Sequence, residues 1–175
     1  GLHLEAFATA AYANPGESVS LDIEMVNRSP TNIKLKSVRI ANKDGLLKPI
    51  RLEENILVKQ KFEFTIPQET NYTSPYWLIE KGSMGTYKVA DMQLIGKPET
   101  PKTFHAVFEL EIDGIIIPIS KPIVYKYAKP DKGEIYQPFE IVPEATASFD
   151  DKVIIFSDDT SKEIPVTIKA HADNL

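Results

Sequence analysis

From Ser18 to Val26 every second side chain is apolar: Val19, Leu21, Ile23 and Met25 fall on one side of an extended chain, and Ser18, Ser20, Asp22 and Glu24 on the other. A period of two marks a strand with one face buried and one face wet. The rhythm recurs along the chain. Leu2, Leu4, Ala6 and Ala8 alternate with His3, Glu5, Phe7 and Thr9, while Ile33, Leu35, Val38 and Ile40 turn inward against Lys34, Lys36 and Arg39. Ile56, Val58, Phe62, Phe64 and Ile66 line one long strand, and Phe104, Ala106, Phe108, Leu110 and Ile112 line another. No stretch shows helical spacing with caps at both ends.

Thirteen prolines and eight glycines punctuate these runs. Asn14-Pro15-Gly16-Glu17, Asn27-Arg28-Ser29-Pro30 and Asn42-Lys43-Asp44-Gly45 read as turns, and Asp113-Gly114 is a strong type I′ hairpin signal. The return strand runs from Ile115 to Ile119, and Ile123 to Tyr127 extends it past Pro122, along an edge or through a kink. Six or seven strands, rich in hairpins and with one long crossover, predict an all-β fold: an immunoglobulin-like β-sandwich over residues 1–128. With 42% hydrophobic residues the chain can bury a core, and with no cysteine it has no disulfide or thiolate metal site.

Two segments break the pattern. Residues 67–101 form a long loop rich in aromatics, with Tyr72, Tyr76, Trp77 and Tyr87 flanked by Gly82 and Gly85. So long a connection is usually functional or an embellishment of the fold. Lys129-Pro130-Asp131-Lys132-Gly133 reads as a linker, and Phe139–Phe149, Lys152–Phe156 and Glu163–Ala170 as three further short strands. Residues 129–175 either pack on the first sandwich or open a second β domain, and the second reading is preferred because so short a tail is marginal as an independent core.

Charge and hydropathy exclude whole classes. The net charge is −5, with charges scattered, so no basic face is expected to neutralise nucleic-acid phosphates. The longest apolar candidate, Ile115-Ile116-Ile117-Pro118-Ile119, is far short of a membrane helix. The chain opens Gly1-Leu2-His3 without an initiator methionine. A piece of a longer protein is therefore expected, with Gly1 left by processing.

The residues of catalysis do not assemble in the sequence. His3, His105 and His171 stand alone on predicted strands, and Gly82-Ser83-Met84-Gly85 is not a nucleophile elbow. Asp150-Asp151 and Asp158-Asp159 lack the rest of a calcium loop and read as polar turns. The sequons Asn27-Arg28-Ser29 and Asn71-Tyr72-Thr73 matter only in a eukaryotic secretory setting. No catalytic residue, metal or cofactor is predicted for this chain. The candidate site residues are Tyr76, Trp77 and Tyr87. Their rings can plug the sandwich, contact a neighbouring domain, or stack on a sugar.

At this loop the sequence resembles a run found in large bacterial proteins of the LmbE-like (PIG-L) deacetylase family. The resemblance is carried by Ser74-Pro75-Tyr76-Trp77-Leu78, Gly85-Thr86-Tyr87 and Leu94-Ile95-Gly96-Lys97-Pro98-Glu99-Thr100-Pro101. It continues through Phe108–Gly114, Pro122–Tyr127, Gly133–Pro138 and Ile141-Val142-Pro143, and spans residues 70 to 156. In that family a zinc-binding His-Pro-Asp-Asp domain removes acetyl groups from N-acetylglucosamine-type substrates, and no such motif occurs here. The resemblance implies an accessory, non-catalytic β-sandwich module in an exported protein, secreted or in the cell envelope. Its expected partners are neighbouring domains of the parent chain, including the catalytic one. It also implies that residues 134–175 begin the next β domain. A carbohydrate-binding module and a structural envelope or adhesion domain are the alternatives.

Overall fold

The computed structural model describes residues 1–41, 43–45 and 49–172. It is an all-β sandwich. One sheet runs, in spatial order, β13 (Gly133–Pro138), β12 (Val124–Lys129), β1 (Leu2–Ala8), β3 (Ser18–Asn27) and β7 (Leu57–Thr65). The other runs β11 (Ile115–Pro122), β10 (His105–Ile112), β4 (Ile33–Ile40) and β5 (Lys43–Gly45), with β6 (Ile50–Leu52) also paired to β4. Alternation decides which side chains meet between them. Val19, Leu21, Ile23 and Met25 of β3 join Leu4, Ala6 and Ala8 of β1 in one buried cluster with Leu35, Val38 and Ile40 of β4 and Ala106, Phe108 and Leu110 of β10. Each large side chain so buried contributes roughly 1.5–3 kcal/mol relative to exposure.

Local chemistry accounts for the turns and for one change of phase. Gly16 takes φ 84°, in the left-handed region, and the Glu17 amide closes the turn on the Asn14 carbonyl. Asp113 and Gly114 both have positive φ, 49° and 82°, as a type I′ hairpin between β10 and β11 requires. In β4 the buried positions step from Leu35 to Val38. The cause is a bulge: Glu109 lies opposite Ser37 and Leu110 opposite Leu35, so Lys36 is the extra residue. Without it Val38 and Ile40 would face water.

Three expectations change. Lys129 to Gly133, expected as a linker, closes the β12–β13 hairpin, with Gly133 at φ 72° and Lys129 paired to Gly133. β13 is thereby an edge strand of the first sheet. The sandwich runs on through β14 (Glu140–Ile141), which pairs in parallel with β2 (Tyr12–Ala13) and buries Phe139 and Ile141 in the core. Lys152–Phe156 forms no strand, since a strand needs a partner edge and no strand among the described residues pairs with it. The turn expected at 42–45 gives way to β5 over 43–45, with Ala41 at positive φ before it; Asn42 lies outside the described residues. Beyond β14 the chain forms a separate hairpin of β15 (Ala145–Phe149) and β16 (Val166–Ala170).

The outer face of the first sheet carries a charge network. Lys126 Nζ lies 3.1 Å from both Glu5 Oε2 and Glu24 Oε2, and 4.2 Å from the centre of the Phe7 ring. Lys59 pairs with Glu24 at 2.6 Å. The Lys59 hydrogen bond, with help from Lys126, holds the Glu24 carboxyl below its usual range against the opposing pull of burial. Burial alone would lower Lys126, yet the bonds to Glu5 and Glu24 together leave it raised. Tyr136 is pushed up to about 12, first by burial and then because its hydroxyl donates to Glu5 and Glu134.

A phenol whose folded pKa exceeds its unfolded value of 10 stabilises the fold fully below pH 10, and that contribution disappears as pH rises through about 12. Ultraviolet titration of the chain's seven tyrosines should therefore show a late component near pH 12 that Tyr136→Phe removes. If Tyr136→Phe instead removes amplitude near pH 10 and leaves the late part of the curve in place, Tyr136 ionises as an ordinary exposed phenol.

Candidate functional site

The aromatic loop is fastened at its base. The Thr73 amide donates to the Ile141 carbonyl at 2.9 Å, and the Ile141 amide donates back to Thr73 Oγ1 at 3.1 Å. The Thr73 hydroxyl also donates to the Glu140 carboxylate. These bonds clamp the start of the loop to β14, whose own pairing with β2 fixes it to the sandwich. Pro75, extended at ψ 130°, then opens a short 3-10 turn over Tyr76–Leu78. The Tyr76 amide donates to Thr100 Oγ1 at 3.0 Å and its hydroxyl to the Lys97 carbonyl at 3.2 Å. So the two ends of the loop are tied through Tyr76.

The middle of the loop is a hairpin that periodicity is too short to reveal, β8 (Glu80–Ser83) with β9 (Thr86–Lys88). Two glycines make it. A Cβ on Gly82 would collide with the Thr86 carbonyl oxygen, and Gly85 sits at φ 78°. Lys88 closes the pair on Glu80 at 2.7 Å.

Between the loop and β14 lies a cleft of about 480 Å³, whose walls include Tyr72, Pro75, Trp77, Pro98, Pro101 and Phe139. That volume lies within the usual range for a ligand pocket. Trp77 is half-buried on its wall and meets Tyr76 edge to face, ring centres 4.9 Å apart at 88°. Tyr76 is half-buried beside it. Tyr87 is 70% exposed on β9, outside the cleft, and no ring contact joins it to either of the others among the described residues. The structure thus brings Tyr76 and Trp77 together and leaves Tyr87 apart.

The ionisable groups lining the cleft are Glu99, Lys102 and Glu140, with the phenol of Tyr72. Glu99 and Lys102 pair at 2.7 Å, which holds the Glu99 carboxyl below its ordinary value, and Glu140 accepts from Thr73. A second hollow of about 530 Å³ adjoins, sharing Asn71 and Tyr72 and bounded by Glu69 and Glu144. Sequence reasoning missed Phe139 and the proline walls. The Pro98-x-x-Pro101 spacing is a usable signal of a rigid wall, but Phe139 falls in the segment whose sequence suggests a separate domain.

The other candidates stay apart. His3 lies near Glu5 at 3.6 Å, and His171 packs edge-on against Tyr12, with Nε2 2.9 Å from Thr146 Oγ1. No group of three or more His, Asp or Glu among the described residues is placed so that it could hold a metal ion. Asp158 caps its own turn by accepting from the Thr160 amide, as the polar-turn reading expects. Asn27 of the first sequon is 1% exposed. No helix among the described residues is long and apolar enough to cross a membrane. Comparison with family models, curated proteins and solved structures finds no match to this chain.

Proposed function

We propose that this chain is a non-catalytic accessory module, an immunoglobulin-like sandwich that packs against, orients or spaces neighbouring domains of a larger exported bacterial protein. The parent would be of the LmbE-like deacetylase kind that residues 70 to 156 resemble. The observation that carries this reading is the β15–β16 hairpin. Its register places Ala145, Ala147, Phe149, Val166, Ile168 and Ala170 on one face, and Thr146, Ser148, Thr167 and Lys169 on the other. The apolar face is uncovered, with Phe149 64% and Ile168 74% exposed. A two-stranded hairpin is marginal in water, and so continuous an apolar face marks a surface that another layer covers. A neighbouring domain would supply that layer.

Dye binding tests the reading. Phe149→Ser with Ile168→Ser should remove about half or more of the chain's binding of an apolar-surface dye. The sandwich's unfolding midpoint should barely move, since surface changes stay within about 0.5 kcal/mol. Unchanged dye binding would mean that the face is already covered. Acetate release from chitooligosaccharides by the zinc-supplemented chain would sink the non-catalytic part. A carbohydrate-binding module is the second reading, favoured by Trp77 on an open cleft wall.

A further inference from the structure

We propose that the Trp77 cleft and the acidic hollow beside it together form a recognition groove for an extended, proline-rich peptide segment carrying a basic residue at one end. A polyproline II segment needs rigid apolar ridges to pack against and donors for its unpaired carbonyls. The cleft supplies the ridges: Trp77 and Tyr72 stand among Pro75, Pro98 and Pro101, with the buried Phe139 contributing only its edge to the wall. It also supplies donors. Among the described residues neither the Trp77 indole N–H nor the Tyr72 hydroxyl bonds to another protein group, and neither is orphaned in the interior.

Part of the cleft's polar lining is already engaged within the chain. Thr73 is engaged by Glu140 and Ile141, Thr100 by Tyr76, and Glu99 by Lys102. Asn71, Ser74 and Thr103 also line the cleft, and their side chains bond to no other protein group among the described residues, so polarity alone does not choose between a saccharide and a peptide. Charge then fixes the end of the segment. Glu69 and Glu144 border the second hollow without a cation partner among the described residues, and no Lys or Arg lines it. Tyr72 belongs to both hollows, so one extended chain crossing it places prolines against Trp77 and a flanking Arg or Lys near the two carboxylates. The net charge of −5 favours a basic partner at long range as well.

Fluorescence anisotropy with labelled synthetic peptides tests this. The probes are a proline-rich decamer with a terminal arginine, the same peptide with glutamate in its place, and a proline-free scramble. Trp77 is the single tryptophan, so its emission reports the cleft directly. The arginine peptide should bind at micromolar concentrations and shift Trp77 emission to the blue. The glutamate peptide should bind about tenfold more weakly. Glu69→Gln with Glu144→Gln, both on the surface, should erase that preference while leaving residual binding of both peptides, and Trp77→Phe should weaken both.

Equal binding of the scramble, no binding at millimolar peptide, or an arginine preference that survives the double variant would each overturn the proposal. So would quenching protection of Trp77 by chitotriose but not by peptide, which would make the cleft a sugar site. None of these outcomes depends on whether the β15–β16 face binds dye.

Discussion

Phe108→Ala should lower the free energy of unfolding by about 3–5 kcal/mol, the range for truncating a buried phenylalanine. Phe108 is fully buried at the centre of β10, opposite Val38 of β4 on one side and Ile119 of β11 on the other. The ring is therefore enclosed by two strands of its own sheet and by the facing sheet, and a close-packed interior collapses only partly into the space left. A loss of that size is about a fifth or more of the stability of a typical domain. Urea unfolding followed by circular dichroism measures it. Phe149→Ala is the control: the same side chain at 64% exposure on β15 should cost less than about 0.5 kcal/mol. If the two substitutions cost the same, the core does not lie between β4, β10 and β3.

The contrast between those two phenylalanines also shows what was legible in the sequence. Phe108 sits in a run that alternates from Phe104 to Leu110 with only Val107 apolar on the outer face, and the inward residues of that run are the buried ones. Ser18–Val26 was equally plain, because Val19, Leu21, Ile23 and Met25 share one face and Ser18, Ser20, Asp22 and Glu24 the other. β4 was legible in spite of its bulge only because the apolar residues themselves shift phase, from Leu35 to Val38. Lys-Pro-Asp-Lys-Gly was not legible. Its composition suits a linker and a hairpin turn alike, and only the pairing of Tyr127 with Ile135 and Lys126 with Tyr136 separates the two. β13 is an edge strand with weak alternation, so nothing local announced that pairing. Val153-Ile154-Ile155-Phe156 misled in the opposite direction, since β propensity without a partner edge makes no strand.

The candidate site was half legible for a related reason. Tyr76 and Trp77 stand out by residue type, and the structure sets them edge to face. Tyr87 is as aromatic, but Gly82 and Gly85 close a small hairpin that carries it away from the cleft. The opposite wall, Phe139 and Glu140, comes from far along the chain, brought there by the parallel pairing of β14 with β2. Parallel pairing of two-residue strands leaves no periodic trace. An apolar cleft assembled from a loop and such a strand is visible only in three dimensions.

Asn27→Ala should cost about 2–4 kcal/mol, as four side-chain hydrogen bonds are lost, one of them fully buried. The side chain is 1% exposed at the end of β3. Its Nδ2 donates to the carbonyls of Thr31 at 2.9 Å and Leu52 at 3.1 Å, and its Oδ1 accepts from the Ser29 amide and hydroxyl. One side chain therefore ties the β3–β4 turn to β6, and the same bonds hold it where no glycan could be attached in the folded chain. Asn27→Asp distinguishes hydrogen bonding from mere packing. It keeps the acceptor toward Ser29 but turns a second oxygen on two carbonyls, and at neutral pH it buries a charge. The introduced carboxyl would then have a raised folded pKa, so its protonated form would stabilise at low pH and lose that advantage as pH rises. At pH 7 the order of stability should be wild type, then Asn27→Ala, then Asn27→Asp, with the aspartate variant recovering on the alanine one as pH falls toward about 4. If instead both variants match the wild type in urea unfolding, the end of β3 is held by packing alone.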